Sequence, residues 1–126
     1  MRIVDRTTFL AMPAGTVFIK FPPQPGDGCL DLGADGPILI KEETVGEDFV
    51  VQSTIPSFEG VDRSEDEIAV YADMLKGKGS PAVDYDFAGR DGYFDKDQLF
   101  LVWDRKDLHA LIGRLNQALE ALRVPD

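Results

Sequence analysis

The chain holds one cysteine, Cys29, and one histidine, His109. A single thiol cannot close an intramolecular disulfide, and this set cannot build a cysteine-rich zinc site or a two-histidine metal site. A reducing cytosol suits such a chain. Long apolar runs are missing as well. No window reaches the ~18 apolar residues that a membrane span needs, and Met1-Arg2-Ile3-Val4-Asp5-Arg6 has no signal-peptide character. Neither secretion nor membrane insertion is expected.

Bases are scarce. The 13 Lys and Arg stand against 23 Asp and Glu, a net charge of −10, which repels polymeric nucleic acid and anionic membranes unless bases cluster locally. They do not cluster in sequence: Arg63, Arg90, Arg105 and Arg114 are scattered. No DNA, RNA or membrane partner is expected. Such acidity favours solubility, and it also permits mimicry of nucleic acid toward a basic partner.

What remains is an ordinary globular composition. Apolar residues form 44% of the 126-residue chain, too many for disorder, and this length fits one domain with one core. Residues 1–126 therefore read as a single α+β domain, without a repeat, linker or internal boundary.

Its elements follow from local pattern. Residues 5–12 can form one or two helical turns, capped by Asp5 and ended before Pro13. Thr16-Val17-Phe18-Ile19-Lys20-Phe21 is β-branched and aromatic, hence a strand stopped by Pro22-Pro23. Short apolar pieces at Cys29-Leu30-Asp31-Leu32, Pro37-Ile38-Leu39-Ile40 and Phe49-Val50-Val51-Gln52-Ser53 read as further strands. Short turns between them predict antiparallel pairing. Residues 56–62 read as a loop.

Ser64-Glu65-Asp66-Glu67 has capping-box spacing, which predicts the start of a helix. Ile68, Tyr71, Ala72 and Leu75 then mark one apolar stripe, and Gly77-Lys78-Gly79 supplies a stop. Residues 82–87 alternate Val83, Tyr85 and Phe87 with Asp84 and Asp86, the period of a half-buried strand. Gly89-Arg90-Asp91-Gly92 reads as a turn. Leu99-Phe100-Leu101-Val102-Trp103 is apolar on both faces, so it is expected as a central strand covered on each side or meeting another subunit.

A last helix begins after Asp104. Leu108, Leu111, Ile112, Leu115, Leu119 and Leu122 repeat at three and four residues along it. The fold class expected is thus α+β: an antiparallel sheet of about five to six short strands, a mid-chain helix and a C-terminal amphipathic helix. Residues 99–123 form its closing strand-turn-helix unit.

No constellation signals catalysis. Asp84-Tyr85-Asp86-Phe87-Ala88-Gly89 begins like a calcium loop, but position 5 is Ala88 and position 12 is Asp95 where a glutamate belongs. Gly77-Lys78-Gly79-Ser80 lacks Walker spacing. His109 falls off the apolar stripe and no serine or cysteine sits in a nucleophile motif. Asp91, Asp95 and Asp97 with Lys96 read first as solvated turn charges, and only second as acid/base or metal-holding groups. Phe87, Tyr93 and Phe94 beside that turn either cap the core or offer rings on which a nucleobase can stack. No metal, cofactor or enzymatic activity is expected.

Two stretches taken together resemble one family. They are Val4-Asp5-Arg6-Thr7-Thr8-Phe9-Leu10-Ala11-Met12-Pro13-Ala14-Gly15-Thr16, and Gly89-Arg90-Asp91-Gly92-Tyr93-Phe94-Asp95-Lys96-Asp97-Gln98-Leu99-Phe100 running into Val102-Trp103. They are similar to the phage anti-Thoeris sponge proteins. Members of that family sequester glycocyclic ADP-ribose signals without degrading them, and some also bind cyclic trinucleotides. The resemblance implies a phage protein acting in the host cytosol, assembled as a dimer or hexamer, with a cyclic ADP-ribose isomer or another cyclic nucleotide as its partner.

Residue by residue, Phe87 resembles the aromatic that stacks adenine and Arg63 the arginine on the other face of the base. Asp97 falls where members can carry an asparagine. A carboxylate there accepts from the exocyclic amine but cannot donate to a ring nitrogen. Arg114 resembles a helix arginine that holds the anionic part of the nucleotide, a role that suits its fork of donors. The alternative from another class is an acidic interaction module that imitates nucleic acid toward a host complex.

Overall fold

The computed structural model describes residues 1–21 and 36–122. The strand expected around Cys29 and the last residue of the 99–123 unit lie outside them. In chain order the elements are β1 (Arg2–Val4), α1 (Arg6–Leu10), β2 (Val17–Phe21), β3 (Leu39–Val45), β4 (Asp48–Ser53), β5 (Ser57–Phe58), α2 (Ser64–Leu75), β6 (Val83–Asp84), β7 (Ala88–Arg90), β8 (Leu99–Val102) and α3 (Arg105–Ala121). Six strands form one antiparallel sheet in the order β1-β8-β2-β3-β4-β7, and β5 pairs with β6 in a second, two-stranded sheet. The class is α+β.

The apolar run at β8 lies inside the sheet between β1 and β2, as its two-faced character requires. Phe100 and Val102 point to one face, where they meet Val4, Phe9, Phe18 and Phe49. Leu101 points to the other, with Ile19 and Phe21. Four phenylalanines make the centre of the first cluster. Phe9 lies parallel to Phe100 with ring centroids 3.9 Å apart, and Phe18 and Phe49 meet them edge-on. Edge-on and stacked pairs of this kind are the favoured aromatic geometries.

Helix α1 is only 5 residues long, too short to persist alone. It holds because Asp5 caps it, accepting from the Thr8 N–H at 2.8 Å, and because Phe9 is fully buried in the sheet. Its far end is tied to β3. The buried Lys41 Nζ donates to the Met12 carbonyl at 2.9 Å and to the Thr44 hydroxyl at 2.7 Å, while that hydroxyl donates to the Leu10 carbonyl. A bulge between Lys41 and Thr44 permits this reach. Gly46, with φ +63°, opens the two-residue turn into β4.

Four expectations are corrected. The capping box does not form: Arg63 is the N-cap, extended and without a side-chain cap bond, and Ser64 is already helical. Glu67 instead accepts from the Tyr71 hydroxyl at 2.8 Å. The 82–87 strand is only Val83–Asp84, and Val83, Tyr85 and Phe87 are exposed, because no described residue covers their face. The 89–92 turn is in part strand: Ala88–Arg90 is the edge strand β7, with Arg90 opposite Val50. Within the 56–62 loop, Ser57–Phe58 pairs as β5.

Both long helices form where the periodicity places them, yet their stripes are largely uncovered. On α3, Leu108 and Leu111 are half-buried, while Ile112, Leu115, Leu119 and Leu122 are exposed, Leu119 by 69%. Asp104 is its N-cap but makes no cap bond; its carboxylate instead accepts from Arg2 Nε at 3.2 Å. On α2, Ile68 and Leu75 are exposed, and Tyr71 touches Phe58 edge-on at 5.3 Å. Among the described residues no helix is long and apolar enough to cross a membrane.

Candidate functional site

The short pairing of β5 with β6 hollows an open cleft of about 430 Å3. Phe58, Glu59, Asp62, Asp84 and Phe87 contribute to its wall. Phe87 sits just before the edge strand β7, where the chain leaves the second sheet, so its ring has no core to enter. It is 66% exposed. A Cβ at Gly89 would stand 4.0 Å from that ring, an ordinary van der Waals contact.

Arg63 follows directly on the Asp62 wall as the N-cap of α2. Within the described residues its guanidinium has no hydrogen-bond or ion-pair partner. The cleft itself is acidic, through Glu59, Asp62 and Asp84. Such a wall accepts from amino and hydroxyl groups and repels phosphate. Among the described residues no three acidic, histidine or cysteine side chains converge as metal ligands.

Of the residues singled out in the sequence, Phe87 lines this cleft, and Arg63 follows its Asp62 in the chain without lining it. Asp97 and Arg114 do not line this cleft within one chain. Asp97 is exposed on the 91–98 loop, where its backbone N–H donates to Asp95 Oδ1 at 3.0 Å. Arg114 is exposed on α3 and reaches Gln117 Oε1 at 3.5 Å. His109 is likewise on α3, in a shallow hollow with Arg105 and Ile112.

No family model, curated protein or solved structure matches the chain.

The 91–98 loop is firmly held at both ends. Asp48, buried at the start of β4, accepts from Arg90 Nε at 2.8 Å and from the Gly92 N–H at 3.1 Å. Burial, the largest single influence on this carboxyl, pushes its pKa upward. The N–H groups of Gly92 and Phe49 and the Arg90 guanidinium together outweigh it and hold the pKa below the ordinary aspartate value. Lys20 Nζ pairs with Asp91 Oδ1 at 2.6 Å and stands 4.3 Å over the Tyr93 ring. Gln98 Nε2 donates to the carbonyls of Phe21 and Leu99.

Sequence reasoning missed Lys20, Asp48 and Arg6 as site-building residues. A signal existed for Lys20, because strand alternation puts it on the face of Phe18, where an unpaired cation is costly. None existed for Asp48 or Arg6. Their partners lie 42 residues away at Arg90 and 41 residues away at Glu47.

Proposed function

We propose that the protein binds and sequesters a cyclic ADP-ribose-type signal without altering it, as an oligomer. The observation that carries this reading is the exposed Phe87 ring on a cleft of ligand size, with Arg63, which has no partner among the described residues, next in the chain to Asp62 of its wall. An aromatic ring and a guanidinium grip both faces of a base. The carboxylates of Glu59, Asp62 and Asp84 suit the exocyclic amine of adenine and the ribose hydroxyls.

The same carboxylates disfavour the pyrophosphate, which needs cations from elsewhere. Arg114 of a second copy supplies one, and the uncovered leucines of α3 supply a face through which copies associate. Asp97 also joins the ligand only across such an interface. The resemblance of the two quoted stretches to phage anti-Thoeris sponges sets this activity in the host cytosol, as counter-defence against a nucleotide signal. A sponge acts by stoichiometry, so enclosure and preorganisation carry its affinity.

Titration of the protein with glycocyclic ADP-ribose, followed by heating and analysis of the released nucleotide, tests the reading. Saturable binding, intact release and loss of affinity in Phe87→Ala are expected. A converted product points to an enzyme. The absence of binding at micromolar concentration favours the second reading, an acidic interaction module, for which Glu65, Asp66 and Glu67 form an exposed acidic turn at the start of α2.

A further inference from the structure

A second cleft, of about 260 Å3, lies between α1, the β3–β4 turn and the 91–98 loop, lined by Arg6, Thr7, Leu10, Glu47, Phe94 and Lys96. Phe94 has φ +52°, the only positive φ of a non-glycine residue among the described residues. A side chain with a Cβ is strained there, and such strain persists only where the surroundings impose it. Burial of the ring does not compensate, since Phe94 is 51% exposed. The loop that carries Phe94 is tethered on either side, at Asp91, Gly92 and Gln98, and Phe94 lines the cleft.

Arg6 is the opposite case, a buried side chain with donors to spare. Its Nη2 donates to the Glu47 carbonyl at 2.7 Å, and its guanidinium carbon lies 5.7 Å from the Phe49 ring centroid. These contacts fix the fork in place. Its other N–H groups have no acceptor among the described residues and are not sealed from solvent, and Arg6 lines the cleft. Lys96 adds a second cation to the same wall, against the single carboxylate of Glu47. In a chain of net charge −10, this is a local positive site.

We propose that this cleft binds a small aromatic phosphate of the nucleoside monophosphate class. Phe94 stacks the planar ring, while Arg6 and Lys96 hold the phosphate through charge-assisted hydrogen bonds. The volume falls just under the roughly 300 Å3 at which drug-sized pockets begin, which favours a compact ligand. Glu47 accepts from a sugar hydroxyl and repels additional phosphates, so a monophosphate is preferred over a polyphosphate. This site uses none of the residues of the Phe87 cleft and does not depend on the function proposed for it.

Isothermal titration with AMP, adenosine and inorganic phosphate tests it. AMP is expected to bind with a dissociation constant of about 0.1 mM or tighter, and adenosine and phosphate each at least about tenfold more weakly, because each keeps only half of the contacts. Phe94→Ala is expected to weaken AMP about tenfold or more. Phe94→Asn, which tolerates the left-handed conformation, is expected to do the same with an unchanged melting temperature. Lys96→Gln is expected to weaken AMP and flatten its salt dependence, and Phe87→Ala to leave it unchanged. No AMP binding at millimolar concentration overturns the proposal. So does affinity that survives both Phe94 substitutions, and so does affinity lost in Phe87→Ala alone, which moves AMP to the other cleft.

Discussion

Lys20 Nζ lies 2.6 Å from Asp91 Oδ1 and so ties an interior strand of the sheet to the first residue of the 91–98 loop. The Asp91 side chain is 4% exposed and that of Lys20 21%. The pair is therefore shielded enough from water for its loss to be felt.

Asp91→Ala is expected to lower stability by about 2 kcal/mol, since it leaves a half-buried ammonium with only the Tyr93 ring. Urea denaturation of Asp91→Ala, Lys20→Met and the double variant measures this. The double variant should lose less than the sum of the two single changes. Strict additivity means the contact does not hold the loop.

Asp48 gives the fold an acid-sensitive joint. Its folded pKa lies below the ordinary value of 3.8, so its contribution is fully present above that value and is lost as pH falls through the folded pKa. Asp48→Asn should remove about 2 kcal/mol at neutral pH and flatten the acid limb of the stability curve. Thermal melts of both proteins between pH 7 and pH 2 decide the point.

Lys41 works in the opposite sense to a paired base. Burial lowers its pKa below the ordinary 10.5, so between the folded and unfolded values the unfolded chain holds more protons, and stability rises with pH. The penalty for keeping the ammonium buried is constant at lower pH. Relative to Lys41→Met, the wild-type urea midpoint should climb as pH approaches 10.5. A difference that stays flat across that window contradicts it.

The exposed half of the α3 stripe predicts self-association. Leu115→Lys and Leu119→Lys alter residues that are mostly exposed in the single chain, so each should change the stability of the monomer by about 0.5 kcal/mol or less. Sedimentation velocity should show the wild type as an oligomer and the double variant as a monomer. An oligomer that survives both changes assembles through another surface.

The legible parts of this fold were those whose pattern is strictly local. Asp5 and Pro13 bracket α1, and leucine spacing predicts α3. The apolar run at β8 announces an interior strand by itself. β1 and β7 were not legible, because each is 3 residues long and owes its strand conformation to the neighbour it pairs with. Gly89 and Arg90 read as turn formers until Val50 and Val51 stand opposite them. The polar half of β3 was hidden for the same reason: Lys41 is buried, but the carbonyl that receives it belongs to Met12.

The two candidate clefts divide in the same way. Phe87 stood out from sequence as an aromatic beside a polar turn, but on the apolar face of a half-buried strand, whereas the structure leaves its ring exposed. Phe94 was visible as a residue type, but its left-handed backbone and its place beside Arg6 and Lys96 were not. By itself the sequence determined the fold class, the acidity and the periodic faces of the helices, since composition and spacing act through neighbours in the chain. Only the tertiary structure decided which faces stay uncovered and which cations meet an exposed ring. Those depend on partners about 40 to 90 residues apart, brought together by burial of the phenylalanine core.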